Sequence, residues 1–183
     1  MNAPRKEHLL DVAEELFYKF GFNATGVDRI QAESGVAKTT LYKHFPSKDD
    51  LIHEVLKRAD ARERQDINAT ISDSQLAGHQ LIQLLLTRLI SLCEMDSFNG
   101  CMFANAAAEF MNSNSRLKNV FDDHLDWLQQ RFTEILAESG ADEAGALPLL
   151  VIYEGVLAVG RSVEGSQLLA SLDMLLKPLF QKQ

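Results

Sequence analysis

The chain has 183 residues, 46% hydrophobic and 24% charged, the balance of an ordinary globular protein with room for a sizeable core. No apolar run approaches the roughly 20 residues that cross a bilayer, and the opening MNAPRKEHLLD turns acidic too early for a secretory leader. Two cysteines, Cys93 and Cys101, make no disulfide framework, and a net charge of −8 argues against a generally sticky nucleic-acid binder. The expectation is a cytoplasmic protein that does not enter a membrane. The charge is unevenly placed. Residues 1–48 hold 7 Lys and Arg against 6 Asp and Glu, a net of +1, whereas the remainder holds 11 against 20, a net of −9. An acidic body with a neutral-to-basic head suits a protein that touches DNA at one end.

Periodicity predicts helices throughout and no strand. From Pro4 to Phe20, Leu9, Val12, Ala13, Leu16, Phe17 and Phe20 form one apolar stripe, and Gly21 is placed to end the helix in a left-handed conformation. The next stretch, VDRIQAESGVAKTTLYKHF (Val27 to Phe45), reads as two short helices joined by a tight turn at Gly35. Thr25 followed by Asp28 is a capping pattern for the first of them. Ile30, Ala32, Val36, Leu41 and Phe45 are apolar and can close a small core. That leaves Lys38, Thr39, Thr40, Tyr42, Lys43 and His44, a concentration of hydrogen-bonding groups on two helical turns. A helix-turn-helix places its second helix in the major groove, which is wide enough to admit it. A plain helical hairpin with a polar outer face is the bland alternative.

Pro46 breaks the recognition helix, and Ser47 with Asp50 caps a fourth helix running to about Asn68, whose many charges suggest a mostly solvated connector. The polar segment INATISDSQLAG, with turn character around Asp73, marks the boundary between head and body. Further helices are predicted from about Ser74 to Cys93 (stripe Leu81, Leu85, Leu89, Leu92), from Cys101 to Met111, from Ser115 to Glu138, and from Asp142 to Gly165. The last of these is apolar nearly all round and so should be buried. Leu168, Leu172, Leu175, Leu176 and Leu179 form a final stripe. The expected fold is all-α with about nine helices. Its parts are a helix-turn-helix head at 1–48, a connector at 49–72, and a ligand-binding and dimerisation body at 73–183.

The run GVAKTTLYKHFPSKDDL, with its Tyr42–Phe45–Lys48 spacing, resembles the recognition-helix signature of the TetR family of bacterial transcriptional regulators. The similarity extends over about Arg5 to Leu56. It implies a repressor that binds a palindromic double-stranded DNA operator as a homodimer, through an interface made by the last two long helices. It also implies a cavity in each body for a small-molecule inducer that releases the DNA. Carried over by position, Lys38, Thr39, Tyr42 and Lys43 fall where such proteins reach the major groove. Thr25, Thr40, His44 and Lys48 fall where they hold phosphates. Ala37 departs from the pattern by standing where the family often has a capping Ser.

Pocket walls are mostly apolar and aromatic with a few polar groups. On that basis the candidate ligand residues are Arg88, Met102, Asn105, Glu109, Phe121, His124, Trp127, Phe132 and Tyr153, and their apolar character favours an apolar inducer. Cys101 joins them as a candidate thiol sensor, because a helix N-terminus favours the thiolate. GCMFANAAAEF also resembles that helix in a subset of the family, some of whose members sense electrophiles or oxidants. The competing account makes Cys101 a small core residue. Asp122, Asp123, His124 and Asp126 do not converge on a helix, so a solvated face is expected rather than a metal site. The chain has no HExxH, GxSxG, Walker or GxGxxG sequence. An enzyme would therefore lack an identifiable nucleophile or base, and no cofactor is expected. A helical adaptor without DNA binding is the remaining alternative.

Overall fold

A computed structural model describes residues 3–110 and 115–180, and the predicted helix end at Met111 lies outside them. The described residues form nine α-helices and no strand: α1 (Ala3–Phe20), α2 (Val27–Ser34), α3 (Lys38–His44), α4 (Lys48–Ser74), α5 (Gly78–Cys93), α6 (Met102–Phe110), α7 (Ser115–Glu138), α8 (Ala146–Val159) and α9 (Gly165–Leu176). Short 3-10 turns precede α8 and follow α9. Two compact units result. The first comprises residues 1–62 and 102–122, the second residues 63–101 and 123–183. The division falls inside α4 and inside α7, and α6 belongs with the helix-turn-helix rather than with the residues on either side of it.

In the first unit α1 packs on both α2 and α3. Leu9, Ala13, Leu16 and Phe17 from α1, Ile30 from α2, Leu41 and Phe45 around α3, and Leu51, Ile52, Val55 and Leu56 from α4 are all buried. Of the small core expected within the helix-turn-helix, Ala32 is exposed and Val36 only half-buried. Gly21 (φ 90°) and Gly35 (φ 65°) adopt the left-handed conformation that their positions require. Ser47 caps α4 as the sequence suggests: its Oγ accepts from the Asp50 amide at 3.1 Å and donates to the Asp50 carboxylate at 2.7 Å.

α4 differs from expectation twice. Its basic residues are not simply solvated, because Arg58 faces the carboxylates of Glu7, Asp11 and Glu14, one stripe of α1, and Arg62 also reaches Glu14. Nor does the helix stop near Asn68. Ile67 and Ile71 pack on the core of the second unit, and the Thr70 hydroxyl is absorbed by the Asp66 carbonyl at 2.8 Å. Tertiary burial on one side overrides the low helix propensity of this polar stretch.

The core of the second unit combines Leu81, Ile82, Leu85, Leu86, Leu89 and Ile90 of α5 with Leu128, Phe132, Ile135 and Leu136 of α7, and with the inner sides of α8 and α9. Leu92 is exposed instead of continuing the α5 stripe, and Cys93 is buried in its place. α8 is not buried all round either: Leu147, Val151 and Val159 face outward. No helix among the described residues is long and apolar enough to cross a membrane.

Where α8 ends, Gly160 lies against α5. A Cβ there would stand 2.5 Å from Cys93 Sγ and 2.8 Å from the Val156 carbonyl oxygen. Overpacking of this kind costs about 1–3 kcal/mol. Gly160→Ala should lower the urea midpoint accordingly, with an unchanged far-UV spectrum.

Candidate nucleic-acid interface

α3 is seven residues long, and its polarity is sharply divided. Leu41 is fully buried, whereas Lys38, Thr39, Tyr42 and Lys43 are exposed and form one contiguous strip. Tyr42 keeps 41% of its surface accessible, high for a ring that has apolar neighbours to pack on. Thr40 and His44 flank the strip and are half-buried. Pro46 sets the end of the helix by forcing Phe45 into an extended conformation (φ −132°, ψ 100°), which returns the Phe45 ring to the core.

Lys38 is the one strip residue with an ion-pair partner among the described residues: its Nζ meets Asp28 Oδ1 at 2.7 Å. That hydrogen bond and the Asp28 charge raise the Lys38 pKa above its ordinary value. Because the pair is exposed, a DNA phosphate or base edge can compete for the ammonium at little cost. Lys48, the first residue of α4, donates to the Asn23 carbonyl at 3.4 Å. Partial burial lowers its pKa, against the opposing charges of Glu109 and Asp49.

Thr25 is placed differently from expectation. It is completely buried, and its hydroxyl donates to the Leu16 carbonyl at 3.2 Å, so it ties α1 to the start of α2 and does not present itself to a phosphate. It does not cap α2 either. Gly26 is the N-cap, with no side-chain hydrogen bond, and Asp28 is engaged with Lys38.

The candidate ligand residues divide between the two units. Met102, Asn105, Glu109 and Phe121 belong to the first, and Arg88, Cys101, His124, Trp127, Phe132 and Tyr153 to the second. Arg88 is exposed on α5 and lines no interior. The Glu109 carboxylate is taken up by the backbone amides of Phe22 and Asn23. Trp127 lies under the Arg64 guanidinium, 5.0 Å from the ring centre.

The second unit gathers the rest around two acids, Glu63 and Glu154. Tyr153 donates to Glu63 at 2.9 Å, and the fully buried His124 has its Nε2 3.9 Å from the same carboxylate oxygen. His124 is thus an interior residue, not part of a solvated face. Phe132 packs on Tyr153 with ring centres 5.9 Å apart. Burial pushes the Tyr153 phenol well above its usual range, reinforced by the Glu63 charge. Burial likewise raises the Glu154 carboxyl, with Glu63 adding to the effect while His124 and a hydrogen bond from Cys101 oppose it. Glu154 is the single charged residue in ALPLLVIYEGVLAV, and that isolation was a signal available in the sequence. The Cys101 thiol therefore sits beside the Glu154 carboxyl, the reverse of the electropositive surroundings that make a thiolate reactive. No group of three or more His, Cys, Asp or Glu among the described residues could hold a metal ion.

Ala37 begins α3 without any side-chain cap. Ala37→Ser should stabilise the head by about 0.5–2 kcal/mol and slow hydrogen exchange at the Lys38–Thr40 amides. In the parent protein those amides should exchange faster than those of α4.

Residues 9–55 match the family described as bacterial regulatory proteins, tetR family. Over 54 residues the chain is 44% identical to the HTH-type transcriptional activator FasR of Mycolicibacterium smegmatis, covering 30% of this chain and 25% of that protein. It is 24% identical to the HTH-type transcriptional repressor DhaR of a Mycobacterium species over 58% of this chain and 52% of that one. The chain thus spans about a quarter to a half of the length of these two relatives. A longer match, to the nucleoid occlusion factor SlmA of Aliivibrio fischeri, is 28% identical over 91% of this chain and 85% of that protein. Among solved structures, a TetR-family transcriptional regulator from Streptomyces coelicolor superposes with a TM-score of 0.88 at 28% identity, covering 97% of this chain and 96% of that one. The helix-turn-helix with its exposed α3 and the nine helices of the described residues agree with these matches: residues 9–55 carry the domain of the tetR family of bacterial regulatory proteins, and the chain has the fold of a TetR-family regulator.

Proposed function

We propose that this protein is a ligand-responsive transcriptional regulator, a repressor that binds a palindromic operator as a homodimer and is released by a small-molecule inducer. The observation that carries this reading is α3, which buries Leu41 and leaves Lys38, Thr39, Tyr42 and Lys43 exposed side by side. Those four side chains read the major groove. Lys48, Thr40 and His44 hold the flanking phosphates, while Thr25 acts only through the position of α2. The head carries little net charge, so affinity comes from docking two heads on two half-sites about one or more helical turns apart. Repression is the family's usual direction, although the names of the relatives include an activator and a repressor. The setting of this activity is the cytoplasm.

The dimer forms through α8 and α9. Leu147, Val151 and Val159 on α8, and Leu169, Met174 and Leu175 on α9, are large apolar side chains left exposed in the single chain. Val151 at 64% and Met174 at 77% exposure are the extremes, and such a patch is stabilised by a second copy. The inducer acts within the body, where the apolar core favours an apolar molecule and the Glu63, His124 and Tyr153 group offers it polar contacts. α4 contributes to both units, so a ligand that prefers one setting of α4 alters the spacing of the two recognition helices.

Operator selection from random duplexes, followed by a binding titration, tests the DNA reading. Tyr42→Ala with Lys43→Ala should abolish binding to the selected duplex while helicity and thermal stability stay near the parent values. Unchanged binding would favour a helical adaptor instead. Val151→Glu with Met174→Glu should convert the dimer to a monomer in light scattering and weaken operator binding at least tenfold, since each half-site would then be bound alone.

A further inference from the structure

Glu109 is the one charged residue of α6, a short apolar helix (MFANAAAEF) that lies outside the helix-turn-helix in sequence but belongs to the same compact unit. Its Oε1 accepts from the Phe22 amide at 2.9 Å, and its Oε2 accepts from the Asn23 amide at 2.6 Å. Two consecutive backbone donors converge on one carboxylate, an arrangement that suits an anion and gives charge-assisted bonds. Gly21 makes the approach possible. It turns the chain with φ 90°, and a Cβ in its place would stand 3.2 Å from Glu109 Oε1. The neighbouring residue of α6 adds an apolar grip: the Phe110 ring meets Phe22 edge-on at 5.9 Å, and Phe22 stacks on Phe17 at 5.2 Å. The end of α6 thus holds the α1–α2 turn by both its backbone donors and its aromatic side chain.

The held turn is where Lys48 is anchored. Lys48 Nζ donates to the carbonyl of Asn23, the residue whose amide Glu109 takes. The Glu109 charge also supports the partly buried ammonium against desolvation. One acid therefore fixes the two sides of the Asn23 peptide neighbourhood: its donor directly, and the cation on its acceptor. We infer that Glu109 is a positioning residue for operator binding, holding the α1–α2 turn and, through Asn23, the Lys48 ammonium in the setting that meets a DNA phosphate. This rests on the reading of the head as a DNA-binding domain. A carboxylate near a phosphate site also repels the phosphate, but that term is screened by water and salt, whereas the two amide bonds are short and direct. Positioning outweighs repulsion, so removing the charge weakens binding.

The test is a titration of full-length protein on the selected operator across a range of salt concentrations, for the parent, Glu109→Gln, Lys48→Ala and the double variant. Parent binding establishes the DNA reading independently; its absence would remove the footing of the inference as well. Glu109→Gln should weaken binding about tenfold. The magnitude of its salt slope should fall by about one phosphate contact, as in Lys48→Ala. In the double variant the Glu109 effect should largely vanish, because Lys48 is the group it acts through. Hydrogen exchange at the Phe22 and Asn23 amides should accelerate in Glu109→Gln. A residue that only stabilised the fold would lower the melting temperature with no change in salt slope, and that result would overturn the inference. Parent-like or tighter binding by Glu109→Gln, or full additivity with Lys48→Ala, would also overturn it. If Glu109→Gln fails to fold, the same measurements are read on Glu109→Asp, which keeps the charge but shortens the reach. An intermediate loss with the same non-additivity is then expected, and parent-like behaviour would refute the proposal.

Discussion

A helix of seven residues does not stand in water by itself. Nucleation costs more than so few hydrogen bonds return, and α3 has an alanine where a cap would help. The recognition helix exists because Leu41 and Phe45 are buried at its base, against a core supplied by α1, α2 and the start of α4. The outward surface of the head depends on that burial. It sets which side of α3 is hidden, and the exposed strip of Lys38, Thr39, Tyr42 and Lys43 is what remains. The three carboxylates of α1 that face Arg58 hold α4 to this core from the other side.

A short helix held by its neighbours responds when they shift. The turn between α1 and α2 carries no regular secondary structure, yet several of its polar groups are engaged. Thr25 is tied to Leu16, and Phe22 and Asn23 are tied to Glu109. The first unit therefore includes residues far along the chain, and α6 belongs with the helix-turn-helix. An interior acid–base group in the second unit, built from Glu63, His124, Tyr153 and Glu154, has the opposite character. Burial raises the pKa of both Tyr153 and Glu154 there, and any change in packing around them is felt electrostatically.

Much of the fold was legible because helices announce themselves through period and punctuation. The α1 stripe, Gly21, Gly35, the Ser47–Asp50 cap and Pro46 each act on their immediate neighbours, and each does in the structure what its local chemistry requires. The exposed strip of α3 was legible for the same reason: polar residues left over from an amphipathic pattern must face outward. Local pattern misleads where a residue's role depends on distant partners. The pattern Thr25 to Asp28 looks like a cap, but Leu16 offers Thr25 a buried acceptor and Lys38 offers Asp28 a counter-charge. The stretch after Asn68 looks like a linker until Ile67 and Ile71 find the body core.

The sequence alone determined the all-helical class, the helix-turn-helix and the identity of its outward residues, since these follow from spacing along the chain. Tertiary structure alone decided which polar groups are spent inside the protein. Thr25 is buried, His124 and Glu63 meet around Tyr153, Cys101 lies beside an acid, and Glu109 from α6 closes a turn some 86 residues earlier in the chain. The reason is physical. A hydrogen bond or a buried charge is fixed by what lies within about 3 Å, and sequence separation places almost no limit on what that can be.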